Sequence, residues 1–501
     1  MTAPLLRMLL REESVGKTGS RFLRSYRFRG ARVRGTGHGS GIGKPVEVVP
    51  LDRPAPIPDG VMPERSAHVF VLGLDEFNRK KLEALPPERG YVFHPLLSLE
   101  EVTSWREFPL AERLDAAVQV VEAWPGGADA VVGYWDFPVS LMVPILCCRL
   151  GLVSPSLESV LRCEHKYWSR LVQREVAPEH VPPFTAVDPF DDASLNGIGL
   201  AYPFWLKPVK SFSSHLGFRV RHREELQRAV RKLREGVGDV GEPFNQFLAQ
   251  ANLPEEVTPV TGLHCIAERI VSGSQCTLEG FVHGDEVEIY GVVDSVRHGN
   301  RSTFSRYEYP SRLPRTVRER MRAVARRVIE GVGLSDAPFN MEFFWDEAKD
   351  RIWLLEVNPR ISQSHGDLFE KVDGVPNHEV AVELALGRRP EWRKGAGPFR
   401  RAGKFFARRF EDATVIRTPS EEEVEQVERK FPGAIVEVLA EPGTRLSELD
   451  PQEQDSYSFV YARVFLGASN QRELLERHRW VMDALPFEFA PVEGVAAAEG
   501  K

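Results

Sequence analysis

Two short apolar segments separated by five polar residues constrain this chain more than any other feature: Phe339-Asn340-Met341-Glu342-Phe343-Phe344-Trp345-Asp346 and Ile352-Trp353-Leu354-Leu355-Glu356-Val357-Asn358. Their β-branched and aromatic content and the polar link 347–351 predict a hairpin. With Asp346 taken to face Ile352, strict alternation sets Glu342 opposite Glu356 and Asn340 opposite Asn358, all on one face. Two ionised carboxylates about 5 Å apart repel by a few kcal/mol at intermediate dielectric, and a shared cation relieves that cost. Oxygen-only ligands select Mg²⁺ or Mn²⁺ over zinc. The plain alternative is that both glutamates face solvent and pair with arginines. Asn358-Pro359-Arg360 at the strand end argues against it, because a carboxamide and a guanidinium there suit a metal that bridges nucleotide phosphates.

Composition narrows the class. The chain has 501 residues, 42% hydrophobic and 27% charged, enough for about three domains of usual size. There is no apolar run long enough to span a membrane, so no membrane partner is expected. Five cysteines with no CxxC pair support neither a disulfide framework nor a zinc module, and they point to a reducing, cytoplasmic setting. The net charge of −7 conceals a basic start: residues 1–45 hold ten Lys/Arg and two acids. That segment has no apolar periodicity and reads as a solvated tail, so nucleic acid is not expected as a partner. Its Gly37-His38-Gly39-Ser40-Gly41-Ile42-Gly43-Lys44 imitates a phosphate loop, but His38 stands where the first glycine should be and Pro45 follows the lysine.

Along the chain, 67–72 and 129–134 read as buried strands with helices at 112–123 and 138–150, a βα layer without a dinucleotide fingerprint. A helix near 164–172 carries Lys166, and a strand at 203–209 carries Lys207 before the serine-rich turn 211–217. A lysine on a strand followed by such a turn can bring an ammonium and backbone N–H groups to phosphate. Only 14 of the 65 basic residues are lysines, which draws attention to these two. Strands are expected at 264–271, 277–283 and 286–293, and a helix at 317–332 with Val317, Met321, Val324, Val328 and Ile329 on one buried face. The stretch 294–312 reads as a polar loop able to cover an acyl acceptor. Beyond 395, strands at 403–410, 434–439 and 458–466 and helices at 420–430 and 470–482 read as a small α+β lobe.

Taken in order, these residues resemble the ATP-grasp family, in its carboxylate–amine ligase and biotin-carboxylase-like branches. The resemblance implies an α/β and α+β multidomain chain: a basic tail 1–65, a Rossmann-like pre-ATP-grasp domain 66–155, and an ATP-grasp domain 156–394 of two subdomains with a hinge near 268–274. A C-terminal α+β lobe 395–491 and a tail 492–501 complete it. It implies ATP and Mg²⁺ (or Mn²⁺), with Lys166 and Lys207 on phosphates, Ser213 and Ser214 as loop donors, and Glu268, Arg269, Ile270 and Val271 as the linker that holds adenine. Glu342, Glu356 and Asn358 match the metal-ligand positions, and Arg360 matches the catalytic arginine. Gln275 stands where many members carry an acid for the ribose hydroxyls. His365 is tempting as a general base but reads better as a structural or substrate-orienting residue.

The implied reaction is activation of a carboxylate as an acyl phosphate and its capture by an amine, with amino-acid or peptide-like substrates and room for a homodimer. Two readings stay open beside it. One is bicarbonate activation as in biotin carboxylase, and the other is a nucleotide-binding regulatory or scaffold protein without catalysis.

Overall fold

The computed structural model describes residues 66–103, 108–211, 215–299, 303–449, 454–455 and 458–492. These belong to one compact unit, Met62–Lys501. The basic segment 1–65 and the loop positions Ser213 and Ser214 lie outside the described residues.

The described residues begin with parallel strands β1 (Ala67–Leu72), β2 (Tyr91–Leu96) and β3 (Ala130–Gly133), in the order β2-β1-β3. Helices α1 (Glu76–Glu83), α2 (Leu99–Thr103), α3 (Leu110–Glu122) and α4 (Val139–Leu150) connect and cover them. Asp75 caps α1 by accepting from the Asn78 backbone N–H at 2.6 Å. Strand β2 is the strand of this layer that the sequence reading did not contain. Pro95 lies within it, and β2 is an edge strand, the place where a sheet tolerates a residue without an N–H.

A second layer follows. Helices α5 (Leu157–Glu164) and α6 (Lys166–Val176) lead into an antiparallel sheet of β4 (Phe184–Val187), β5 (Phe204–Pro208), β6 (Phe218–Val220) and β7 (Cys265–Arg269), ordered β4-β7-β5-β6, with the short α7 (Asp192–Asn196) after β4. The 26-residue α8 (Arg223–Leu248) packs Leu226, Val230 and Leu233 on Phe204 and Leu206. Alternation then sends Trp205 and Lys207 to the other face of β5.

The largest element is a nine-stranded antiparallel sheet. It is built from β8 (Ser274–His283), β9 (Glu286–Arg297), β10 (Phe304–Tyr309), β11 (Ala337–Asp346), β12 (Arg351–Asn358) and β13 (Arg401–Arg409), and, after β14 (Ala413–Arg417), from β15 (Ile435–Val438), β16 (Gln454–Asp455) and β17 (Ser458–Ala468). Its order is β12-β11-β8-β9-β10-β13-β17-β15, with β16 on β17, so the strands beyond residue 400 extend the sheet that carries the glutamates. Helix α9 (Arg315–Val332) buries Met321, Val324, Val328 and Ile329 against Leu278, Phe339, Met341, Phe343 and Leu354 on one face. Helix α10 (Gln363–Asp373) packs on the other, where Phe369 meets Tyr290 and Tyr309; α11 (Asn377–Ala385) follows. Helices α12 (Glu421–Lys430) and α13 (Gln471–Ala484) and the final strand β18 (Glu488–Pro491), paired with β14, complete the chain. The expected loop 294–312 is corrected here. β9 runs on to Arg297 and β10 fills Phe304–Tyr309, because alternating aromatic residues there can pair with both β9 and β13.

The crossing from β7 to β8 takes the chain from the four-stranded sheet to the nine-stranded one, and Gly273 makes it possible. Its φ is +147°, and a Cβ there would lie 2.2 Å from the Trp345 carbonyl oxygen. Gly273→Ala is expected to destabilise the protein by more than about 1 kcal/mol, seen as a lower denaturation midpoint, whereas Gly284→Ala, with open space around its Cβ position, is expected to cost less.

Candidate functional site

The hairpin β11–β12 pairs Glu342 with Glu356 and Asn340 with Asn358, as the alternation argument requires. The route differs from the expected one. At the turn, Asp346 faces Arg351, one position away from the assumed Ile352, and a bulge at Leu355 restores the pairing beyond it. The bulge has a physical cause: Ile352, Leu354 and Val357 all belong in the core beneath α9, while Glu356 and Asn358 must point away from it. An extra residue between Leu354 and Glu356 is the means of satisfying both, and bulges recur beside active sites for this reason.

The strand register brings like charges together and leaves them unbalanced. Burial pushes the Glu342 carboxyl up, and the neighbouring Glu356 adds to the effect, to about 7. Burial would also raise Glu356, but the Lys166 and Lys207 ammoniums outweigh it and hold Glu356 below the usual range. Lys166 Nζ lies 3.2 Å from Glu356 and donates to the Ser211 carbonyl at 2.8 Å. Lys166 opens α6, whose N-cap is the buried His165: one ring nitrogen accepts from the Trp168 N–H at 3.2 Å and the other meets the Val260 carbonyl at 2.8 Å. Burial, with Lys210 and Lys207 nearby, lowers the Lys166 pKa despite Glu356. Asn358 donates its amide nitrogen to Asn340 Oδ1 at 3.0 Å, which leaves its own oxygen as the end available to a cation. Among the described residues no three His, Cys, Asp or Glu side chains gather into a metal cluster. The two glutamates and Asn358 could supply part of a shell for a cation that takes its remaining oxygens from phosphate and water.

Lys207 projects from β5 toward Glu268, 2.7 Å away. Glu268 is buried and is also bound by the Arg170 Nε; burial works against its charge, but Arg170 and Lys207 bring its pKa to about 2. Arg170 in turn donates to the carbonyls of Leu354 at 3.3 Å and Leu355 at 2.8 Å, the backbone oxygens at the bulge. The Glu268 side chain is thus an anchor between the sheets. Arg269 is exposed with its guanidinium 4.9 Å from the Trp353 ring, and Ile270 and Val271 follow the end of β7 with half-buried side chains.

Arg360 donates to Asp136 at 2.9 Å, and Asn340 Nδ2 donates to the Arg360 carbonyl at 2.9 Å. Asp136 also accepts from Lys210 at 3.0 Å, and Lys210 bonds the buried Glu164. Burial would raise Asp136, but Lys210 and Arg360 hold it well below the usual carboxylate range. Asp136 went unnoticed in the sequence. It stands just past the carboxyl end of β3, and ligand-facing residues of parallel sheets gather at such ends.

The Gln275 amide donates to Glu342 at 2.8 Å and its oxygen accepts from Arg297, which ties this side chain to the glutamate pair. The cause is β8–β11 pairing, which sets Gln275 opposite Phe344 on the face that carries Glu342. His365 is buried, with Nδ1 2.6 Å from Glu279, itself fully buried and bound by Tyr290 and Asn377. This agrees with a structural role for His365. Ser213 and Ser214 lie outside the described residues.

Residues 200–366 match the model of the ATP-grasp domain. The carbamoyl phosphate synthase large chain of Thermotoga neapolitana is 25% identical over 236 residues, which cover 47% of this chain and 20% of that one. The chain thus spans about a fifth of the length of the curated relatives it matches. Among solved structures, the L-amino acid ligase from Bacillus licheniformis superposes with a TM-score of 0.60 at 17% identity, covering 85% of this chain and 100% of the ligase. The biotin carboxylase domain of Hydrogenobacter thermophilus 2-oxoglutarate carboxylase, solved with MgADP and bicarbonate, gives 0.59 at 18% identity, covering 85% and 92%. The protein has an ATP-grasp fold, multidomain and mixed α/β.

Glu342 bears the cost of the like-charge pair. A carboxyl whose folded pKa exceeds its unfolded value loses stability as pH rises from about 4.5 to about 7. In metal-free protein, Glu342→Gln is expected to unfold at higher temperature than the parent at pH 8, by about 1–2 kcal/mol once water screening is allowed for. The difference should close near pH 4.5, which melting curves across that range will show. Glu268→Gln should act oppositely and lower stability by roughly 3–5 kcal/mol, because it strips a buried charge of its partner.

Proposed function

We propose that the protein is an ATP-dependent, ADP-forming ligase that activates a carboxylate as an acyl phosphate and joins it to an amine, its partners being small-molecule acids and amines of amino-acid or peptide-like kind. The observation that carries this reading is the convergence of Lys166, Lys207 and Lys210 from the smaller sheet region on the Glu342–Glu356 pair, with Arg360 held beside them by Asp136. Mg·ATP would bring a polyphosphate to these ammoniums and a shared cation to the glutamate pair, relieving the like-charge contacts on both sides.

Lys166 and Lys207 would neutralise phosphate oxygens, an arrangement that suits phosphoryl transfer, where positioning and charge stabilisation supply most of the catalysis. Glu342, Glu356 and the Asn358 oxygen would hold Mg²⁺, which when bound draws charge from the β- and γ-phosphates. A substrate carboxylate oxygen attacks the γ-phosphorus as the bond to the β-phosphate oxygen breaks, and ADP leaves. The amine nitrogen then attacks the acyl carbon, phosphate departs with the C–O bonding pair, and the nitrogen gives up a proton. Arg360 faces the charge that grows on the acyl phosphate and the tetrahedral intermediate. No side-chain nucleophile is needed, and buried Cys163, its thiol pushed up by burial, stays a bystander.

The superposition on an L-amino acid ligase over its whole length supports the amine-joining reading. The likeness to biotin carboxylases supports a second one, in which bicarbonate is the acid activated. All five cysteines are free, which suits a reducing, cytoplasmic setting. No helix among the described residues is long and apolar enough to cross a membrane.

Incubation with Mg-ATP, mixed amino acids and small carboxylic acids in the presence of hydroxylamine is expected to yield ADP and a hydroxamate. Both should fall at least 100-fold in Glu356→Ala. ADP formation that requires bicarbonate and gives no hydroxamate would favour the carboxylase-type reading, and nucleotide-induced thermal stabilisation without turnover would favour a binding protein. Unchanged turnover in Glu356→Ala would overturn the metal assignment.

A further inference from the structure

A pocket of about 670 Å³ lies away from the proposed nucleotide site. Tyr290, Tyr309, Pro310 and Phe399 make its apolar wall, and Arg318, Arg322, Lys394 and Arg400 bring four cationic side chains to it. The single carboxylate in its lining, Asp373, is already saturated. It accepts from the Tyr309 hydroxyl at 2.6 Å, from Trp392 Nε1 at 2.9 Å, from Lys394 Nζ at 2.9 Å and from the Gly395 N–H at 2.8 Å.

The three arginines have no comparable partner. None of Arg318, Arg322 and Arg400 forms an ion pair among the described residues, and Arg322 donates only to the Ile289 carbonyl at 2.5 Å. The Nε of Arg318 is buried without a hydrogen-bond partner. Nearby acids do not cancel this charge. Glu288 is occupied by Arg389 at 3.0 Å, and Glu319, whose charge acts on Arg322, is exposed on α9 and absent from the pocket lining. Burial together with the mutual repulsion of Arg318 and Arg322 lowers the Arg322 pKa, and burial lowers that of Lys394 even with Asp373 against it. Arg318 and Arg322 are one helical turn apart on α9, so their forks face the same space. Guanidinium pairs of this kind match oxyanions bidentately.

We propose that this pocket binds a small, multiply charged oxyanion, such as a phosphorylated metabolite, at a site separate from the nucleotide. Arg318, Arg322 and Arg400 bind the charged group, Lys394 closes one side from its anchor on Asp373, and Tyr290, Tyr309 and Phe399 pack against the remainder of the ligand. The wall is also connected by hydrogen bonds to the segment that follows Arg360. The Tyr290 hydroxyl donates to Glu279 at 2.9 Å, Asn377 donates to the same carboxylate at 3.0 Å, and Asn377 also donates to the Ser362 carbonyl at 2.8 Å, two residues beyond Arg360. The site does not depend on which reaction the protein performs.

The test uses inorganic pyrophosphate as the probe, with the full chain and a chelator present so that no metal assists the nucleotide site. Pyrophosphate is expected to raise the melting temperature of the parent and of Lys166→Ala by about 2 °C or more at saturation, and to bind Arg318→Ala/Arg322→Ala at least tenfold more weakly by calorimetry. The single variant Arg318→Ala, which breaks no side-chain hydrogen bond or ion pair among the described residues, should show a smaller loss in the same direction, and a cooperative melting transition with the parent's circular-dichroism spectrum shows that each variant is folded. No shift in the parent, an undiminished shift in the double variant, or loss in Lys166→Ala alone would each overturn the proposal, the last by assigning the anion to the nucleotide site.

Discussion

The guanidinium of Arg170 is the contact on which the rest of this architecture depends. It leaves α6, meets Glu268 on β7, and donates to the carbonyls of Leu354 and Leu355 on β12. One buried cation thus joins the helix that begins with Lys166, the sheet that carries Lys207 and the strand that carries Glu356. A buried charge is tolerable only when its partners satisfy its donors, and here those partners are the backbone oxygens at a bulge and a carboxylate shared with Lys207. The bulge is therefore a packing device that keeps apolar side chains under α9, and it also places the acceptor atoms that lock the two sheets in register with each other.

Around that lock, the electrostatics favour occupancy over stability. Glu342 and Glu356 face each other across the hairpin, Lys166, Lys207 and Lys210 crowd toward them, and Asp136 divides its charge between Lys210 and Arg360. Glu342 is held only by the neutral Gln275 amide, the other groups are each tied to a neighbour of opposite sign, and the like charges remain close enough to shift one another's proton affinities. Such an arrangement stores unfavourable interaction that a bound metal and polyphosphate would release, which is how functional sites commonly depart from the most stable choice of residues.

Much of the site was legible because it depends on short-range rules. Alternation puts Glu342 and Asn340 on one face of β11 and Glu356 and Asn358 on one face of β12, although it takes the bulge at Leu355 to set them opposite each other, and the alternation of β5 is enough to turn Lys207 away from α8. The sequence was silent or misleading where a partner came from far along the chain. The hydrogen bond from Gln275 to Glu342, 67 positions away, has no trace in the residues around it. The stretch 294–312 looked like a loop because its polar residues hide the alternating aromatics of β10, which need both β9 and β13 as partners. Asp136 offered little beyond its place at the end of β3, since its role is defined by Lys210 and by Arg360, 224 positions away.

By itself, the sequence determined the period of each strand and helix, the order of the charged residues along the chain and which of them share a face, because these follow from local geometry and from apolar spacing. Tertiary structure alone decided which charges are paired, which are buried and which carboxylate takes up a proton near neutrality. Those outcomes depend on distances between segments with no sequence proximity, and on the dielectric environment that forms only when α6, β7 and β12 meet around Arg170.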